Sequence, residues 1–237
     1  LGQVTFAGSM HTVGWGTLEQ KLNERFKDNY FQYDASGTFK LDKFTPKSLG
    51  LQIPMYVGIS NSYSTPQYDP YELDILLKQK LSLADSQHKR DSIKSAAQDF
   101  VSIKSLNFTN IRKMPAKGAT PWWLSISNFN ATYSYTNTTK HNPTISEDLL
   151  IHRHAQLGYA YPGKSKYILP FTKAFGTGKL SKSKWVKPVK DFNFNLVPTN
   201  LNFSTALDRQ YGETYLRPIT TDEIIDPTFN KYFTMDR

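Results

Sequence analysis

The chain has 237 residues and a formal net charge of +9, with 29 Lys and Arg against 20 Asp and Glu. It contains no cysteine, which excludes disulfides, thiolate nucleophiles and Cys-ligated metal centres. No apolar run approaches the ~20 residues of a transmembrane helix, although β-barrel strands escape this test. Only 38% of residues are apolar, while 14 are Tyr and 15 are Phe, a composition that favours strands with one apolar and one polar face.

Period-two alternation is the clearest pattern, and it is strongest in residues 30–43 and 49–62. The apolar positions are Phe31, Tyr33, Phe39, Leu41, Leu51, Ile53, Val57 and Ile59, and the polar positions between them are Gln32, Asp34, Ser36, Thr38, Lys40, Gln52 and Ser60. Residues 44–48 resemble a short turn. The two segments therefore predict a hairpin with one continuous apolar face, which Pro54 interrupts with a bulge or bend because it lacks an N–H donor.

Further segments alternate in the same way, and they bring the predicted total to about seven or eight strands. They cover residues 3–12, 106–112, 122–136, 151–161, 200–216 and 231–237. In residues 122–136 the apolar side chains change from even to odd positions near Ser127, which predicts a β-bulge. Several segments run to about 12–16 residues, long enough to cross a bilayer when tilted. The expected class is all-β and antiparallel.

The connections between these segments are expected to carry short helices. Thr17 and Gln20 suggest a capped helix whose apolar stripe is Leu18, Leu22 and Phe26. Residues 65–102 predict a mostly helical insertion with a stripe of Leu73, Leu76, Leu77 and Leu81. Residues 162–198 form a Lys-rich insertion without strand pattern. Before that insertion, long and short connections are expected to alternate, as they do in outer-membrane barrels.

Aromatic residues gather near the ends of the alternating segments, and two interpretations of them remain open. Tyr and Trp at these positions are typical of the interfacial girdles of membrane barrels. They are equally typical of cross-strand pairs in an antiparallel sandwich. Alternation by itself does not separate these two architectures.

Candidate chemical sites are few, and none has the full spacing of a known motif. His152 and His154 share a strand face but need a third metal ligand, for which Glu147 or Asp148 is the nearest candidate. The other candidates are a phosphate loop at residues 176–179, a calcium loop with Asp222, Glu223 and Asp226, and a glycosidase pair of Asp208 and Glu213. We therefore expect no enzyme activity, no metal and no cofactor. Spread-out cations likewise predict no nucleic-acid partner.

Several stretches, taken in chain order, resemble one known family. These are GWGTLEQ at residues 14–20, YDP at 68–70, LNFTNIRK at 106–113, KDFNFNLVP at 190–198 and DRQYGETYLR at 208–217. Together they resemble the SprA family of cell-surface and gliding-motility proteins of Bacteroidetes, over nearly the whole chain. The resemblance implies a very large outer-membrane β-barrel that forms the protein-conducting pore of the type IX secretion system. Such a pore passes folded proteins to the cell surface and supports gliding motility.

On this resemblance, residues 1–237 are expected to form a single stretch of barrel wall. The apolar positions of residues 31–59 would then face lipid, and the polar positions would face a water-filled lumen. The implied partners are membrane lipids, the rest of the barrel, plug and cap proteins of the secretion system, and secreted protein cargo. The alternative is a soluble or envelope-associated β-sandwich or small barrel module that binds a glycan or lipid.

Overall fold

The computed structural model describes residues 2–21, 25–115, 118, 122–163, 167–168, 192–195, 200–217 and 228–236. Eight long strands dominate it: β1 Gly2–Trp15, β2 Phe26–Lys40, β3 Pro54–Pro66, β4 Asp99–Lys113, β5 Phe129–His141, β6 Ile145–Pro162, β7 Asn200–Leu216 and β8 Thr228–Asp236. Each strand pairs antiparallel with the next one along the chain, so that sheet order equals sequence order, with β1 and β8 at the edges. The all-β, antiparallel prediction is confirmed.

The register gives this sheet two faces. Ala35 of β2 lies opposite Phe6 of β1 on one side and Ile59 of β3 on the other. Residues that are directly opposite in an antiparallel ladder point to the same face, and their chain neighbours point to the other face. The pairing of β1 with β2 runs from Gly2 to Trp15 without a bulge, so the faces persist along the whole strand pair.

The packed apolar core of the described residues lies in one insertion and not on the sheet. The insertion joins β3 to β4 and contains α1 Leu77–Leu83 and α2 Gln87–Ala97. The buried apolar residues are Leu77, Ala84 and Ala97, all of which belong to this insertion. The predicted four-residue stripe is therefore only partly right, because Leu73 and Leu76 precede α1 and remain exposed.

An ion pair stabilises the start of this insertion. The carboxylate of Asp69 is almost fully buried, and the Lys80 ammonium of α1 donates a hydrogen bond to it, which raises the pKa of Lys80. Glu72 lies 3.2 Å from the same ammonium. Asp69 also accepts the N–H of Tyr71 at 2.9 Å. The Tyr71 hydroxyl donates at 2.6 Å to the carbonyl of Pro143 and thus fastens the insertion to the β5–β6 turn.

The connection between β2 and β3 is longer and more structured than the predicted short turn. It contains the 3-10 helices Leu41–Phe44 and Lys47–Leu49, a left-handed Gly50 with φ of 58°, and a short strand, Leu51–Gln52, beside β4. Leu41, Leu51 and Ile53 therefore lie outside the long strands, and the interruption expected at Pro54 takes the form of a break between the short strand and β3. The physical reason is Pro54, which cannot donate to the ladder and so begins β3.

Two further local predictions are corrected. A 3-10 helix at Ile126–Asn128 precedes β5 where a bulge was expected, and the irregular pairing lies instead in β4 between Phe108 and Ile111. Residues 17–20 form a turn in which Gln20 accepts the N–H of Thr17 at 3.0 Å, while Phe26 begins β2, so the predicted helix does not extend to Phe26.

The expected alternation of long and short connections is wrong as well. The link between β5 and β6 is a tight turn in which Asn142 donates its N–H to the Ile145 carbonyl at 3.0 Å.

Some predictions lie outside the described residues. They concern Leu22, most of residues 162–198, and the candidates at residues 176–179 and 222–226. Within the described part of the chain, no helix combines the length and apolarity needed to span a membrane.

Candidate functional surface

One face of β1–β3, which we name the apolar face, carries no charge between the strand ends. Its members are Val4, Phe6, Met10, Phe31, Tyr33, Ala35, Phe39, Met55, Val57, Ile59 and Tyr63. Nothing in the described part of the chain packs over it. Phe6 is 78% exposed and Met10 80% exposed. An apolar surface that continues across three strands marks an interaction site and is not an ordinary water-facing surface.

Aromatic rings form a continuous row on this face at one end of the strands. Tyr63 lies 6.3 Å from Phe31 and 4.8 Å from Phe100, measured between ring centroids, and Phe100 lies 4.9 Å from His141. At the opposite end of β5 and β6, Phe129 and Tyr159 are 5.0 Å apart. Aromatic side chains near both strand ends are typical of surfaces that cross a membrane interface. The sequence indicated aromatic residues near strand ends but did not show that they join into a row across strands.

The opposite face, which we name the polar face, is built from short hydrogen-bonding side chains. Gln32 accepts the Tyr30 hydroxyl at 2.6 Å and donates to Asp34 at 2.9 Å. The row continues across the ladder, because Asp34 lies opposite Ser60. Such a face exchanges hydrogen bonds readily with water and offers little apolar area for packing.

The register shows which of the predicted positions share a face. Phe31, Tyr33, Phe39, Val57 and Ile59 lie together on the apolar face. Gln32, Asp34, Ser36, Thr38, Lys40 and Ser60 lie together on the polar face. Gln52 lies in the short strand beside β4, where its side chain accepts from Arg112 at 2.9 Å. Which face meets lipid and which meets water stays a prediction.

The two predicted histidines share a carboxylate that sequence reasoning did not connect with them. His154 Nδ1 lies 2.7 Å and His152 Nε2 lies 3.3 Å from the same oxygen of Asp208, across the β6–β7 ladder on the polar face. The sequence holds one indication of this contact: all three residues have even numbers and lie in alternating segments, so their side chains share a face once the two strands pair. Among the described residues, no three His, Cys, Asp or Glu side chains are arranged to hold a metal ion.

The candidate glycosidase pair, Asp208 and Glu213, does not have the geometry that such a pair requires. Asp208 and Glu213 are five residues apart in β7, so their side chains point to opposite faces of the sheet. Glu213 accepts the hydroxyl of Tyr211 at 2.8 Å and also that of Tyr215. Two carboxylates that are separated by the sheet cannot flank one glycosidic bond.

The larger grooves lie at the strand ends. Two open grooves of about 460 and 490 Å³ adjoin the end of the β2–β3 hairpin, and both are lined by Lys40 and Pro54. The first also holds Lys47 and Arg112 beside Asp42. Both grooves are open, and their lining carries more basic than acidic side chains.

Comparison with known proteins gives one finding on family. Residues 1–81 match the SprA_N family, which is described as a motility related/secretion protein. They comprise β1 to β3 and the beginning of the helical insertion. No curated protein matches the chain. The family association also indicates a location in the cell envelope. This chain is therefore SprA-like over residues 1–81, the part that matches a family described as a motility related/secretion protein.

Proposed function

We propose that this chain forms part of the wall of an outer-membrane protein-conducting pore, the translocon of the type IX secretion system. The observation that carries the proposal is the uncovered, two-faced sheet. A β-sandwich module would bury one face of its sheet against a second sheet. In the described residues neither face is covered, and the apolar residues that are buried belong to the insertion. This observation favours a wall over a pocketed glycan- or lipid-binding module.

The physical role of such a wall follows from its two surfaces. In hydrocarbon every backbone polar group must be paired, and each of the six inner strands is paired on both sides. The edges, β1 and β8, would pair with further strands of the same barrel. The apolar face would contact lipid, and the polar face would line a wet lumen wide enough for protein cargo. The wall itself performs no chemistry, so movement of cargo needs an external energy source.

Cell fractionation tests the location of the whole protein. An antibody against residues 84–97, which lie in the helical insertion, would be applied to separated membrane and soluble fractions of the source cells. We expect a very large polypeptide in the outer membrane. A band near the size of this chain in a soluble fraction would replace the pore with the binding-module alternative.

Thiol labelling then tests the assignment of the two faces. The chain contains no cysteine, so Thr38→Cys and Phe39→Cys each add one thiol at neighbouring positions on opposite faces. In the full-length protein in intact outer membranes, a charged maleimide should label Thr38→Cys and should label Phe39→Cys only after solubilisation. The unsubstituted protein provides the background. Equal labelling of both thiols before solubilisation would contradict the lipid-facing assignment.

A further inference from the structure

The side of the sheet that carries the apolar face of β1–β3 continues across β4–β7, and there it also carries charged residues. Its β1–β3 part carries no charge between the strand ends, whereas its continuation carries Lys104, Arg153 and Arg209 near mid-strand and Glu147 and Glu213 nearer the strand ends. We name Lys104, Arg153 and Arg209 the basic strip. These three cations lie near mid-strand, where a lipid-facing surface tolerates cations least.

The basic strip has no counter-ion within the described chain. Arg153 and Arg209 lie directly opposite each other in the β6–β7 ladder, an arrangement in which like charges repel. In the register the positions that adjoin them are apolar, aromatic or polar, and none is Asp or Glu. The neighbours of Lys104 are Ile59 and Asn137, again without a carboxylate. Arg153 additionally lies over the ring of Tyr135, at 5.8 Å from its centroid.

We propose that the part of this side of the sheet around the basic strip is a docking surface for an acidic protein segment. The partner would place carboxylates against Arg153, Arg209 and Lys104, and would cover the apolar side chains between them. Charge complementarity carries this choice, because a carboxylate between the two guanidinium groups relieves their repulsion and accepts paired hydrogen bonds. The strip crosses β4 to β7, about 15 Å at the usual strand spacing, which suits one helix or one extended segment.

Other occupants fit the strip less well. A second copy would bring its own cations to the same place. Lipid phosphates lie at the bilayer surface, whereas Arg153 is about 27 Å of strand from either end of β6. The inference rests on the proposed membrane wall, because a strip on a lipid-facing surface is not solvated by bulk water. The Val57 probe tests the wall separately.

Site-specific photo-cross-linking in living cells tests the proposal on the full-length protein. A photoreactive phenylalanine replaces Leu207, beside Arg209 on the strip, or Val57, on the uncharged part of the same face. We expect the Leu207 probe to form an adduct with another protein, through a peptide that contains Asp or Glu. We expect the Val57 probe to form lipid adducts.

Charge variants decide whether the basic strip causes the contact. The double variant Arg153→Glu with Arg209→Glu should reduce the Leu207 protein adduct at least tenfold, and the corresponding double Lys variant should retain it. If the Glu variant does not assemble, the double Gln variant replaces it, since it removes the repulsion without adding negative charge. When the double Gln variant reaches the same abundance in the outer membrane as the unsubstituted protein, it should also reduce the Leu207 protein adduct severalfold.

The outcomes separate failure of the docking surface from failure of the wall. A Leu207 probe that labels lipid, labels a second copy of this chain or labels nothing overturns the docking proposal. A protein adduct that is unchanged in the Glu or Gln variant overturns it equally. A Val57 probe that labels water or protein instead of lipid refutes the membrane wall, whatever the Leu207 probe captures.

Discussion

Arginine substitution at neighbouring positions of β2 tests the two-faced sheet most directly. Ala35 and Ser36 are adjacent and small, and their side chains point to opposite faces. Ala35→Arg places a guanidinium on the apolar face between Phe6 and Ile59, whereas Ser36→Arg places the same group on the polar face. The pair therefore holds depth, strand and added volume nearly constant and changes only the face.

The magnitude follows from the position of Ala35 in its strand. Ala35 precedes the end of β2 at Lys40 by five residues, or about 17 Å. A strand tilt of ~40° reduces this distance to a depth of about 13 Å, near the middle of an apolar band ~25 Å tall. An arginine on the lipid side at that depth costs about 2–4 kcal/mol. At 1.4 kcal/mol per tenfold change, the ratio of folded to unfolded protein falls about 30- to 700-fold.

The assay is the free energy of unfolding of the full-length protein in lipid vesicles, together with its abundance in the outer membrane. Ser36→Arg should change the free energy of unfolding by no more than about 0.5 kcal/mol, as is usual for a solvated surface position. Ala35→Leu is the control for bulk on the apolar face, and it should assemble normally. A Ser36→Arg loss as large as the Ala35→Arg loss would refute the reasoning, and so would equal tolerance of both.

Three smaller predictions concern the connections. Lys80→Met leaves the buried carboxylate of Asp69 without its closest cation and should destabilise the insertion by about 3–5 kcal/mol, seen as faster proteolysis; unchanged proteolysis would contradict the ion pair. Gly50→Ala should cost about 1 kcal/mol of unfolding free energy because φ is 58°, and Gly50→Asn should cost less; equal costs would argue against backbone strain. Tyr71→Phe removes the hydrogen bond to Pro143 and should cost about 0.5–1.5 kcal/mol, detected as faster amide exchange in the β5–β6 turn; unaltered exchange there would show that the bond is dispensable.

The local sequence pattern was sufficient to predict features that depend on one strand alone, such as the direction of its side chains. The alternation around Phe31, Asp34 and Val57 separated the residues into the same two groups as the register does, because side-chain direction in a strand depends only on parity. Pattern failed where two distant segments compete for the same hydrogen bonds. Pro54 was recognised as an interruption, but the 3-10 helices that precede it depend on pairing with β2 and β4.

The candidate site divides in the same way. The sequence identified His152 and His154 as neighbours on one face, but the acidic residues that it placed near them were Glu147 and Asp148, as candidate metal ligands, and not Asp208. Their contact with Asp208 depends on the register between β6 and β7, two strands that a long connection separates in the sequence. The helical insertion was predicted from its leucines, yet only Leu77 of that stripe is buried, because turns around Asp69 carry the preceding residues outside the helix.

By itself the sequence determined that the chain is all-β, that its strands are long, and that β1–β3 have one apolar and one polar surface. These properties follow from period-two patterning, which acts residue by residue. Only the tertiary structure decided the order of the strands, the row of aromatic rings, and the opposition of Arg153 and Arg209. Each of these depends on register, and a shift of one residue between two strands would send every side chain of one strand to the other face.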